Sequence, residues 1–184
     1  MKKLIVYIIL TMFIVACEQP ANECNCDDSL GRSLLDAEAM NDIAVSLGSA
    51  MSNKNGDAIL ELLSDDVVWN FPNKQTFTGK EQLGALFTGI FDSWEVIEMD
   101  AGWTEEQKTA GQDQPIYLGV QGSNGAKYLL RWTMYHYKAT NGTEVTLPWH
   151  QVSRYNAENK IDQIATYYDR SELTNAYNGS DPIK

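Results

Sequence analysis

Two histidines, His136 and His150, occur in the 184 residues, and imidazole is the side chain whose ordinary pKa lets it move a proton near neutrality. Each sits in a run that alternates like a strand. His136 shares parity with Leu130, Trp132 and Met134, opposite Arg131, Thr133 and Tyr135, while His150 shares parity with Val152 and Arg154, opposite Trp149, Gln151 and Ser153. If Arg131 and Thr133 look inward, both histidines look outward, where a structural role is expected; His150 is kept as a candidate base. Asp169 is the second candidate. It closes the run Tyr167-Tyr168-Asp169, where a carboxylate could take a proton, but Asp169-Arg170-Ser171-Glu172 reads equally as a helix cap. Metal chemistry finds no support: Cys24 and Cys26 have no histidine near them, and zinc takes four ligands. All three cysteines fall within the first 26 residues, so no disulfide or thiolate site is expected in the folded domain, and no cofactor is expected.

The amino-terminal segment carries a different chemistry. Lys2 and Lys3 precede an uncharged apolar run, Leu4 to Ala16, the anatomy of a signal segment. As a helix the run would reach about 20 Å, short of the roughly 30 Å hydrocarbon core that a spanning helix must cross. Ile14-Val15-Ala16-Cys17 resembles the lipobox of bacterial lipoproteins. That resemblance implies removal of residues 1–16 as a signal peptide and lipidation of Cys17, whose two or three acyl chains would hold the protein stably at about 0.8 kcal/mol per buried methylene. The expected location is the bacterial cell envelope, the outer membrane being favoured because Glu18 stands where an aspartate would signal retention. Residues 17–33 are polar, contain Pro20 and Gly31, and read as a flexible tether. Loss of residues 1–16 removes two lysines and no acid, which takes the net charge from -11 to -13. A chain this acidic is a poor partner for nucleic acid, so membrane contact is expected through the lipid alone.

One domain is expected over residues 34–175, followed by a loose tail, 176–184. Leu35, Met40, Ile43, Ala44, Leu47 and Met51 recur at helical spacing until Asn53–Asp57 breaks the pattern. Asp57 is placed to cap a second helix through Leu63, Val67–Phe71 reads as a strand stopped by Pro72, and Lys80–Ser93 is a third amphipathic helix. Strands follow at 94–99, 116–121, 126–138, 144–155 and 161–168, with a polar loop at about 102–114 and hairpin turns at Gly122–Gly125 and Asn141-Gly142. The fold class is α+β: a cone-shaped domain in which a curved, mostly antiparallel sheet wraps three helices of the N-terminal half.

Three phrases in this order, GDAILELLSDDVVW (56–69), FTGKEQL (77–83) and NKIDQIATYYDRSEL (159–173), resemble the SnoaL-like branch of the nuclear transport factor 2-like superfamily. The resemblance implies an apolar pocket in a cone and a homodimer through the outer sheet face. It implies no single activity, because cyclases, isomerases, hydrolases and plain binding modules share the fold. In the epoxide-hydrolase branch an Arg-x-Asp pair and a final-strand aspartate activate water; the matching positions here are Arg131, Thr133 and Thr166. Threonine cannot take a proton near neutral pH, so that route lacks its base.

The pocket expected from these strands has aromatic walls, Trp69, Tyr135, Trp149, Tyr155 and Tyr168, with Asn70, Arg131, Gln151, Thr133 and Thr166 as polar contacts. A buried Arg131 would need an acidic partner. The leading expectation is a lipid-anchored domain binding a small, largely apolar molecule. The alternatives are a cyclase, isomerase or hydrolase using Asp169 or His150 as base, and a protein-interaction module of the envelope.

Overall fold

Residues 33–176 are described by a computed structural model; Cys17, Cys24, Cys26, the signal segment, the tether up to residue 32 and the tail from residue 177 lie outside the described residues. The order of elements is β1 (Ser33–Leu35), α1 (Glu38–Ser52), α2 (Gly56–Leu62), β2 (Leu63–Asn70), β3 (Thr76–Thr78), α3 (Gly79–Ser93) and β4 (Trp94–Met99). There follow α4 (Glu105–Thr109), β5 (Ile116–Gln121), β6 (Lys127–Ala139), β7 (Glu144–Tyr155), β8 (Ile161–Tyr167) and α5 (Arg170–Ala176).

The strands form one curved sheet in the order β1-β5-β6-β7-β8-β2-β3, with β4 also on β6. The β2–β8 pair is parallel and every other pair is antiparallel. Strict alternation in β6 and β7 sends Leu129, Tyr135 and Tyr137, and Leu147, Trp149 and Tyr155, to the buried face. The helices cover that face: α1 through Met40, Ala44 and Leu47, and α3 through Leu83, Leu86, Phe87 and Ile90.

One topological detail positions the site. β6 is long enough to carry two neighbours on a single edge, β5 along Lys127–Trp132 and β4 along Tyr135–Ala139. The edge therefore forks at Thr133 and Met134, and the chain leaving β4 enters the fork at Asp100, whose φ of 59° turns it sharply there. Gly48 makes this possible: Met99 lies so close over α1 that a Cβ at position 48 would overlap its Sδ and Cε.

Several local expectations are corrected. Leu35 pairs with Gly119 in β1 and does not open the first helix, which begins at Glu38. Asn55, not Asp57, caps α2, its side chain accepting from the Ala58 amide, and Leu63 begins β2 instead of ending a helix. The short β3 was not expected. The 102–114 loop contains α4, whose Thr104 and Gln107 make a reciprocal capping box, a Thr-x-x-Gln pattern that was readable in the sequence.

Candidate functional site

The inner sheet face and the helices enclose an apolar depression. Its floor comes from Leu47 and Met51 of α1 and from Phe87 and Ile90 of α3, and its wall from Trp69, Tyr135, Trp149, Gln151 and Tyr168. Counting its open mouth it spans about 540 Å³, but only about 30 Å³ is open to the centres of water molecules. That is space for about two waters, so a larger ligand must displace side chains. Three rings of the wall pack in series: Tyr168 stacks on Trp149 with centroids 4.2 Å apart and planes at 10°, and Trp149 meets Tyr135 at 4.6 Å, while Trp69 stacks on Phe71 at 5.5 Å. Burial pushes the phenols of Tyr135, Tyr137 and Tyr168 far above their ordinary pKa, so they remain neutral hydroxyls. The indole N–H groups of Trp69 and Trp149 are buried and find no acceptor in the protein. Such groups cost about 1–3 kcal/mol each when left unpaired, so this wall is short of acceptors.

Beside the cavity lies a polar row. Arg131, Gln151 and Thr166 face one another in register across β6, β7 and β8, all on the buried side. Gln151 alone of the three lines the cavity, and its amide donates to Ser153 Oγ at 2.8 Å. Thr166 donates to the carbonyl of Asn70 at 3.3 Å, tying the last strand to β2.

Arg131 is 3% exposed, and its partner is Asp100, which sequence reasoning missed. Nη2 donates to Asp100 Oδ2 at 2.6 Å, Nη1 to Met99 Sδ at 2.7 Å, and the Thr133 hydroxyl donates to Asp100 Oδ1. Position 133 holds a hydroxyl, and a carboxylate is brought against it and against Arg131 from the end of β4. The need of a buried arginine for an acid was visible in the sequence; which acid answered it was not, because Asp100 and Arg131 are 31 residues apart and meet only through the fork in β6.

The remaining expected site residues scatter. Asn70 accepts from the Thr76 hydroxyl and, with Thr166, lines a separate groove at the C-terminal ends of β2 and β8. His150 stands on the outer face, stacked between Trp132 (4.6 Å, 7°) and Tyr167 (5.4 Å, 29°). Asp169 is exposed, and its Oδ1 accepts from both the amide and the hydroxyl of Ser171, bonds that hold its pKa below the ordinary carboxylate value. Neither side chain faces the cavity. The expectation that Asp169 or His150 acts as a base there is therefore corrected: one is consumed by a helix start, and strand parity points the other to the opposite side of the sheet.

A curved, unclosed sheet packed on helices around an apolar cavity is the cone fold of nuclear transport factor 2-like proteins. Within that class this chain belongs to the SnoaL-like domain family, whose model matches residues 46–164. No curated protein matches the sequence. Among solved structures, a putative SnoaL-like polyketide cyclase from Shewanella denitrificans is similar, with a TM-score of 0.58 and 7% identity over 78% of this chain and 99% of that one. A putative isomerase from Bacillus subtilis superposes with a TM-score of 0.56 and 11% identity, over 78% of this chain and 95% of that chain. A hexachlorocyclohexane dehydrochlorinase of the LinA type 2 form gives 0.58 and 9%, over 71% and 83%. At these identities the likeness establishes the fold and leaves function to the site.

Proposed function

We propose that this chain is a lipid-anchored SnoaL-like domain of the bacterial envelope that binds one small, flat, largely apolar molecule bearing a hydrogen-bond acceptor. The observation that carries the reading is the pair of acceptorless indole N–H groups, Trp69 and Trp149, on the wall of an otherwise aromatic cavity. A carbonyl or ether oxygen would satisfy either. With so little free volume between packed rings, Tyr168 on Trp149, a planar ligand would enter by replacing one stacking partner with another. The anchor is argued from Lys2, Lys3, the apolar run 4–16 and Cys17.

The test is a titration of the detergent-solubilised full chain, followed by tryptophan emission and melting temperature, with acetylnaphthalene against ethylnaphthalene. The ketone is expected to bind about 3- to 10-fold more tightly, the worth of one neutral hydrogen bond, and Trp149→Phe or Trp69→Phe to erase that preference. If neither compound moves the melting temperature, the binding reading fails. Mass spectrometry of the purified protein tests the anchor, with a diacylglyceryl adduct on Cys17 as the expected result.

A second reading concerns the outer face. Ile116, Trp132, His150 and Tyr167 form one transverse line across β5 to β8, and Ile116, Trp132 and Tyr167 are 69%, 39% and 54% exposed. An apolar line of this kind fits a homodimer through the sheet. Sedimentation velocity of the full chain and of Trp132→Glu tests it: a dimer converted to monomer is the expected pair of results, and a wild-type monomer would end the idea.

A further inference from the structure

We propose that the molecule bound in the cone carries an anionic end, a carboxylate on an apolar body, and that Lys74 at the cavity mouth is its counter-ion. The inference rests on the binding role proposed above and narrows the ligand class.

A groove of about 340 Å³, lined among others by Asn70, Phe71, Pro72, Lys74, Thr166 and Tyr168, opens at the C-terminal ends of β2 and β8. Phe71 and Tyr168 line both this groove and the aromatic cavity, so the two spaces adjoin across these side chains. A ligand whose body displaces Tyr168 from Trp149 would leave its far end in the groove.

Lys74 is held at that end by the backbone. Its amide donates to the Phe71 carbonyl at 3.0 Å, the Phe71 amide donates to the Gln75 carbonyl at 2.9 Å, and Lys74 itself adopts φ 65°. The turn therefore ties the lysine to the residue that separates the two spaces. Among the described residues Lys80, Lys108, Arg131, Lys138 and Arg154 each sit in an ion pair with a carboxylate; Lys74 sits in none. Among the described residues Lys54, Lys127 and Lys160 are likewise in no ion pair with a carboxylate; what sets Lys74 apart is its place, as the one charged side chain among the residues that line the groove. The wall donates through the indoles of Trp69 and Trp149, and the groove carries the ammonium of Lys74. Both ends therefore favour a ligand rich in acceptors, with the formal charge left outside in water, where its desolvation costs least.

The experiment compares an acetylnaphthoate with its methyl ester on the detergent-solubilised full chain, in wild type, Lys74→Gln and Lys74→Arg, at low and high salt. The free acid is expected to bind about threefold more tightly than the ester at low salt, the advantage of one exposed ion pair. That preference is expected to shrink at high salt, to vanish in Lys74→Gln and to persist in Lys74→Arg, with all three proteins melting alike. Equal binding of acid and ester, or a preference unchanged in Lys74→Gln, would overturn the proposal while leaving the cavity reading in place. Failure of both compounds to bind would remove both.

Discussion

The carboxylate of Asp100 closes on the guanidinium of Arg131 at 2.6 Å and takes the hydroxyl of Thr133 on its other oxygen. Two neighbours on β6, one buried cation and one buried hydroxyl, thereby share a single carboxylate from the end of β4, while Nε of Arg131 is buried without a partner. The pair matters because a buried ion pair contributes modestly when intact and costs heavily when halved.

Asp100→Asn keeps the left-handed turn, which asparagine tolerates, and removes the charge. The loss expected in urea denaturation is about 2–3 kcal/mol, below the usual cost of breaking a buried pair because the Asp100 side chain is 27% exposed. Adding Arg131→Met should recover part of it. A double mutant no more stable than the single one would show that the pair is not coupled.

Gly48→Ala tests the packing beneath the pair. The new methyl would overlap Met99, which must swing off Arg131, so a destabilisation of about 1–3 kcal/mol is expected. Met99→Ala in the same chain should tolerate the alanine, and thermal melts of the two variants distinguish this from a general loss of helix.

Tyr155 donates its hydroxyl to the Met40 carbonyl at 2.9 Å, joining β7 to the first turn of α1. Tyr155→Phe should cost about 1 kcal/mol, the net worth of one such bond. The same variant should leave the preference for acetylnaphthalene over ethylnaphthalene unchanged, since Tyr155 does not line the cavity.

Burial between Trp132 and Tyr167 depresses the pKa of His150. The unfolded chain then takes up this proton more readily than the folded one. The contribution of His150 is complete above about pH 6.5, the ordinary imidazole value, and is lost as the pH falls from there through the lower folded value. Denaturation curves at pH 7.5 and 5.5 should show wild type losing more stability on acidification than His150→Gln; equal losses would refute the assignment.

How much of this was readable beforehand depends on range. Alternation determined within β6 that Arg131, Thr133 and Tyr135 oppose His136, and within β7 that Trp149 and Gln151 oppose His150, because neighbouring side chains in a strand must point oppositely; that the two sets share a face came from the register of the pair. Helical spacing from Met40 to Met51 and the Asn-Gly hairpin turn likewise follow from local geometry, and the three family phrases fixed the order of elements around them. Short elements escaped: β1 and β3 have three residues each and exist because a neighbouring strand offers an edge, not because their own residues demand it.

The site itself was decided by the tertiary structure. Nothing local connects Asp100 to Arg131, Trp69 to Trp149, or Lys74 to Tyr168; the first pair meets where β6 runs out of one partner strand and takes another, and each of the others lines a common space because β2 returns beside β8. The sequence by itself determined which side chains were available and which way each strand turned them. Which of them meet is a property of strand pairing across long stretches of chain, where the loss of loop entropy is repaid only by the closed sheet as a whole.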